Sequence, residues 1–206
     1  NPTQQKVVNI AMNATQRLNK ILEKFLGILK YEQKIIKEEL KAVKIFDLLQ
    51  SLSTDLTEPF SKRKISLRIN CSRNLEVNGS KRHLYLVFES LLGNAIKYTP
   101  DYGMINIYTR MNYPFVVISI KDNGIGIPVN ELTNIFKSFY QLGNIANHHS
   151  SDFEYLGCGA GLGLAYCKSV IEAHFGEIWA TSEGQDCGST FYVKLPILNK
   201  TDLKYS

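Results

Sequence analysis

An uninterrupted apolar alternation, Val116-Val117-Ile118-Ser119-Ile120-Lys121, runs straight into Asp122-Asn123-Gly124-Ile125-Gly126-Ile127-Pro128. The first part reads as a buried strand. The second part cannot continue it, because two glycines loosen the backbone and Pro128 lacks a ladder donor. A chain with this junction must set a carboxylate at the end of a core strand and turn sharply there. Gly124 and Gly126 permit positive φ and close approach to a flat or anionic ligand, and Asp122 can accept hydrogen bonds from an exocyclic amine. Alone, the same residues also describe an ordinary turn after a strand, so the choice rests on the rest of the chain.

Two periodicities divide that chain. Val7, Ala11, Ala14, Leu18, Ile21, Phe25 and Ile28 recur at heptad spacing, widened by Val8, Leu22 and Leu29. They predict one amphipathic helix from Thr3 to Lys30, ~40 Å long at ~1.5 Å per residue. Its stripe either packs on its own domain or offers a bundle surface to another helix, and its length favours the bundle. Residues 31–44 read as a linker with a short strand. A second amphipathic helix follows from Ile45 to about Phe60, closed by Pro59 and a solvated turn, Ser61-Lys62-Arg63-Lys64.

From Ile65 the period changes to two. The pattern predicts a strand over 65–69, a short extended piece, Leu75-Glu76-Val77, and an Asn78-Gly79 turn. A helix capped by Ser80 runs to Tyr98, followed by strands Met104–Met111 and Phe115–Lys121. A short helix over 130–140 and a polar stretch from Leu142 to Cys158 come next. A helix from Gly161 to His174 and strands Glu177–Thr181 and Ser189–Leu195 complete the order. The expected fold is α+β, a two-layer α/β sandwich preceded by the long amphipathic helix. The expected division is residues 1–44, 45–198 and a loose tail at 199–206.

Composition removes several function classes. The net charge of +5 over 206 residues suits an anionic ligand but lacks the dense basic clustering of a nucleic-acid binder. No apolar run approaches the ~18 residues of a membrane span. Cys71, Cys158, Cys167 and Cys187 are scattered, with neither a zinc pattern nor a disulfide framework, which suits a cytoplasmic setting.

Four pieces fall in an order that makes physical sense for a nucleotide. Asn94 lies on a helix face and offers a neutral oxygen to a hard cation, and Mg²⁺ takes few protein ligands beside phosphate and water. Lys97 shares that face and can meet a phosphate as a point charge. Asp122 to Gly126 follows, then Phe136 to Gln141. Last, Gly159-Ala160-Gly161-Leu162-Gly163-Leu164 opens a helix whose free N–H groups and dipole suit phosphate. Singly, each has a plain reading: a polar helix end, a solvated lysine, a close helix contact.

Together, these pieces resemble the C-terminal half of a sensor histidine kinase. The likeness covers the end of the dimerisation hairpin and the catalytic domain of the gyrase/Hsp90/MutL-like (Bergerat-type) ATP fold. It is carried by Leu91-Leu92-Gly93-Asn94-Ala95-Ile96-Lys97-Tyr98-Thr99, Asp122 to Pro128, Ile135-Phe136-Lys137-Ser138-Phe139-Tyr140, Gly159 to Ala165, and Gly188-Ser189-Thr190-Phe191. The resemblance implies ATP and Mg²⁺ as ligands, with Asp122 on the adenine amine, Asn94 on the metal, and Lys97 and Tyr98 on the phosphates. It extends the site to Gly124, Gly126, Ile127, Phe136, Phe139, Gly159, Gly161, Leu162, Gly163, Leu164 and Thr190, with a lid over 137–158. It also implies a homodimer through the first helix, transfer to a histidine and relay to a response-regulator receiver domain. Any membrane link would lie in segments upstream.

Three positions depart from that family. Where it usually has asparagine, four residues before Asn94, this chain has Ser90. ATP-hydrolysing relatives carry glutamate there, and Glu89 is ~140° away on a helix, which argues against a fast ATPase. Ala160 replaces a common threonine or serine. No histidine lies on the first helix, so the phosphoacceptor is expected upstream, in a longer kinase. A degenerate nucleotide-binding scaffold is the alternative, and an ATPase or serine kinase a weaker one.

Overall fold

A computed structural model of the chain describes residues 1–32, 40–140 and 161–198. It opens with helix α1 (Pro2–Glu32), then β1 (Lys41–Lys44), α2 (Ile45–Asp55), α3 (Thr57–Arg63), β2 (Ser66–Asn70), β3 (Glu76–Gly79) and α4 (Lys81–Tyr98). There follow β4 (Met104–Asn112), β5 (Phe115–Asp122), two 3₁₀ turns at Val129–Glu131 and Asn134–Phe136, α5 (Gly163–Ala173), β6 (Glu177–Thr181) and β7 (Thr190–Pro196). The α+β expectation holds: a five-stranded sheet, ordered β2-β4-β5-β7-β6, carries helices on one face. β2 runs parallel to β4, while the other neighbours are antiparallel. The parallel pair needs a long crossover, and α4 supplies it.

Alternation decides which face is buried. In β5, Val116, Ile118 and Ile120 are fully buried, as are Ile105 and Ile107 of β4. Over them lie Leu84, Val87, Phe88, Leu91, Leu92 and Ile96 of α4 and Tyr166, Val170 and Ile171 of α5, all without exposed surface. Each such side chain contributes about 1.5–3 kcal/mol of hydrophobic burial. α5 is locked at its far end by His174, which is buried there. Its Nε2 accepts the Ser80 N–H at 3.0 Å and its Nδ1 lies 2.7 Å from the Val170 carbonyl, so Nδ1 carries the proton.

Four local expectations change. The helix read over 45–60 breaks at Leu56, and Pro59 lies in the first turn of α3 rather than ending a helix. Proline is tolerated there because that turn's N–H groups have no intrahelical partner. The basic run expected to be solvated holds a buried Arg63 between exposed Lys62 and Lys64. Asn78-Gly79 is not a turn: it lies in β3, where Asn78 pairs with Ala42 and Gly79 with Lys41 of β1. Residues 130–140 form 3₁₀ turns, not one helix. α1 lies against α5, yet Val7, Val8, Ile10, Met12, Leu18, Leu22, Phe25 and Leu26 remain largely exposed.

Candidate functional site

Asp122 closes β5 in register with Ile105 of β4 and is 3% exposed. Its Oδ1 accepts the N–H groups of Gly124 (2.8 Å) and Ser189 (3.2 Å), and its Oδ2 accepts the Ser189 hydroxyl at 2.5 Å. Burial pushes its pKa up, against the pull of the bonds from Ser189 and Gly124. An acidic group so placed is held in one orientation by the chain itself. Ser189, one residue before β7, is not among the site residues that the resemblance implies. Thr190, which the resemblance includes in the site, opens β7 opposite Lys121 on the open face of the sheet. Period-two alternation from Phe191 would have placed Thr190 on that outer face.

The loop after Asp122 is braced from outside. Gly126 has φ of +71°, and a Cβ there would fall 1.9 Å from the Gly184 carbonyl oxygen. Asp186 donates its N–H to the Ile125 carbonyl (2.7 Å), Gly188 to that of Gly124 (2.9 Å), and Ile127 to Ser182 Oγ (3.0 Å). Ile127 is buried. On the other side, Ile125 N–H reaches the Tyr98 carbonyl at the end of α4 (3.1 Å). The Asp122 loop and the Asn94–Tyr98 turn are therefore in direct contact.

Asn94, Lys97 and Tyr98 are half-exposed on α4. The Lys97 ammonium rests 4.8 Å from the Tyr98 ring centroid. Gly161 has φ of +67°, and its carbonyl accepts the N–H of Phe139, itself at +62° and exposed. Phe136 meets Phe191 edge-on at 6.4 Å and joins the core. α5 starts behind Leu162, which is buried and provides no side-chain cap. Leu164 packs at the core margin. Among the described residues, a Cβ on Gly163 would come no nearer than 3.8 Å to Ser90 Cβ, an ordinary contact. Ser90 Oγ is buried without a hydrogen-bond partner. Gly159 lies outside the described residues, with Ala160, Cys158, His148, His149 and most of the expected lid.

A braced carboxylate, a cationic helix end and an uncapped glycine-led helix start thus meet around α4. Residues 79–199, more than half of the chain, match the family described as histidine kinase-, DNA gyrase B-, and HSP90-like ATPase. The chain belongs to that family. Within it, the likeness is to sensor kinases. This histidine kinase-type ATPase domain is 32% identical over 193 residues to the sensor protein VanS of Enterococcus faecium, spanning 94% of this chain and 48% of VanS. The chain thus covers about half the length of that curated relative. Two solved structures share the fold. Full-length ShkA in complex with AMPPNP has a TM-score of 0.77 at 22% identity, covering 96% of this chain and 39% of ShkA. Histidine kinase ThkA in complex with response regulator protein TrrA has a TM-score of 0.66 at 24% identity, covering 95% of this chain and 52% of ThkA.

The family's ATP fits these residues on three observations. Asp122 presents a fixed, buried acceptor, Leu162 gives the start of α5 no side-chain cap, and among the described residues only Ser90 would come within 4 Å of a Cβ at Gly163. Asn94 as a lone neutral oxygen suits Mg²⁺, which asks for few protein ligands. Among the described residues no cluster of three His, Cys, Asp or Glu could hold a metal by itself. No helix among them is long and apolar enough to cross a membrane.

Proposed function

We propose that this chain is the ATP-binding catalytic part of a protein-histidine kinase, passing the γ-phosphoryl group of Mg-ATP to a histidine for relay to a receiver-domain aspartate. The carrying observation is Asp122, buried and aligned by Ser189 and Gly124 beside the Asn94–Tyr98 turn. In this reading Asp122 accepts the adenine amine, and Gly126 and Ile127 shape the base pocket. Lys97 leaves the Tyr98 ring for the phosphates, and the N–H groups of Gly163 and Leu164 receive them at the start of α5. Mg²⁺, held by Asn94, would neutralise developing phosphate charge. The rest is positioning.

Among the described residues, His83 and His174 are engaged in structure: His83 Nδ1 lies 2.8 Å from Tyr166 Oη, and His174 is buried. In this reading the acceptor histidine would lie on a helix upstream of α1. Residues 1–44 would be the second helix of a dimerisation hairpin with its linker, pairing through the exposed stripe of α1. Residues 45–198 would be the catalytic domain and 199–206 a tail, all on the cytoplasmic side. Likeness to VanS supports the kinase, and the ThkA–TrrA complex supports a receiver partner.

Incubating the chain with Mg-ATP radiolabelled at the γ-phosphate and a separate histidine-bearing hairpin tests this. Acid-labile, base-stable label on the hairpin, lost in Asn94→Ala, is the expected result. ATP binding without transfer to a competent hairpin would favour a scaffold, a reading that the unpartnered Ser90 Oγ motivates. Steady phosphate release without an acceptor would favour an ATPase.

A further inference from the structure

Arg63 sits at the last position of α3 and is 6% exposed, far from the solvated role its basic neighbours suggest. Its guanidinium donates to the Ile96 carbonyl (Nη1, 3.2 Å) and the Thr99 carbonyl (Nη2, 2.6 Å), and its Nε bonds Asp101. Its own carbonyl accepts the Tyr102 N–H at 3.1 Å. A buried cation at a helix C-terminus satisfies carbonyls that the helix leaves open and complements the negative end of the dipole. Lys97 and Tyr98 lie between the two carbonyls that Arg63 grips. On the opposite side of this turn the Tyr98 carbonyl receives Ile125 N–H from the Asp122 loop.

We infer that Arg63 is a positioning residue of the nucleotide site: its planar fork sets the end of α4, and so aligns Lys97 and Tyr98 with the loop of Asp122. This rests on the nucleotide reading above. Lysine cannot replace it fully, because one ammonium does not span two carbonyls and a carboxylate in a fixed plane.

The test compares affinity for Mg-ATP and for adenosine by calorimetry in the full chain, Arg63→Met, Arg63→Lys and Lys64→Met, with urea unfolding of each. Arg63→Met is expected to lower the Mg-ATP preference over adenosine roughly tenfold, about the worth of one charge-assisted contact. Arg63→Lys should fall between, and Lys64→Met should match the parent. A folded Arg63→Met with the parent's preference, however destabilised, overturns the inference and leaves the function reading standing. If Arg63→Met does not fold, Arg63→Lys decides: the parent's preference in that variant overturns it. A parent chain with no preference for Mg-ATP over adenosine overturns the function reading itself.

Discussion

The two ends of the candidate site are built differently. At the Asp122 end every turn is already occupied. The carboxylate has three protein donors, and the loop is clipped by Ser182, Asp186 and Gly188. At the Gly163 end, among the described residues, the helix start has no side-chain cap, a Cβ on Gly163 would meet only Ser90, and Lys97 rests on Tyr98. One end is tied down by the fold; the other, among the described residues, is not. That division suits a nucleotide, whose base needs a rigid, shape-reading pocket and whose phosphates bring their own charge.

Glycine substitution should break this comparison most sharply. Gly126→Ala forces a Cβ against the Gly184 carbonyl at positive φ, and is expected to destabilise the fold by about 2–4 kcal/mol, from strain and overpacking together. Urea unfolding would show it, with nucleotide binding lost alongside. Next, Asp122→Asn should leave the chain folded while weakening Mg-ATP by roughly 30-fold, about 2 kcal/mol for a hydrogen bond to a charged group. Calorimetry reads this directly. In the parent, affinity should also decline as pH falls through Asp122's raised pKa, because the carboxylate loses its negative charge there, and Asp122→Asn should lose that dependence.

Gly163→Ala is the mirror of the first variant. Its stability should change by no more than about 0.5 kcal/mol, since the new methyl meets only ordinary contact. Its Mg-ATP affinity should fall by about 1 kcal/mol while adenosine affinity stays unchanged, because the methyl intrudes only where phosphate approaches backbone N–H. Equal stability losses in Gly126→Ala and Gly163→Ala would dissolve the contrast between the two ends.

The smallest effect lies outside the site. Burial lowers the pKa of His174, so the folded chain keeps it neutral while the unfolded chain protonates it below about 6.5. The unfolded state then binds more protons, and stability falls as pH drops through that value toward the folded pKa. Urea midpoints measured across this range should fall less steeply in His174→Gln.

Much of the fold was legible because it is local. Heptad spacing announced α1, and alternation announced β4, β5 and β7. The glycine and asparagine motifs marked the two ends of the site through their order along the chain. What could not be read depends on distant partners. Pro59 looked like a stop and is a start, because Leu56 breaks the helix behind it. Arg63 looked solvated and is buried, because Asp101 and the carbonyls of Ile96 and Thr99 wait for it across the fold. Ser189 stands within the motif Gly188-Ser189-Thr190-Phe191, yet only the pairing of β5 with β7 brings it to Asp122.

By itself, then, the amino-acid order determined which segments are helix or strand and which chemical groups stand at their ends, since both follow from the periods 3.6 and 2 and from residue type. Only the tertiary structure decided that Asp122 is braced by Ser189, and that one arginine holds the end of α4 beside it. Those facts depend on contacts between residues tens of positions apart, which no local pattern encodes.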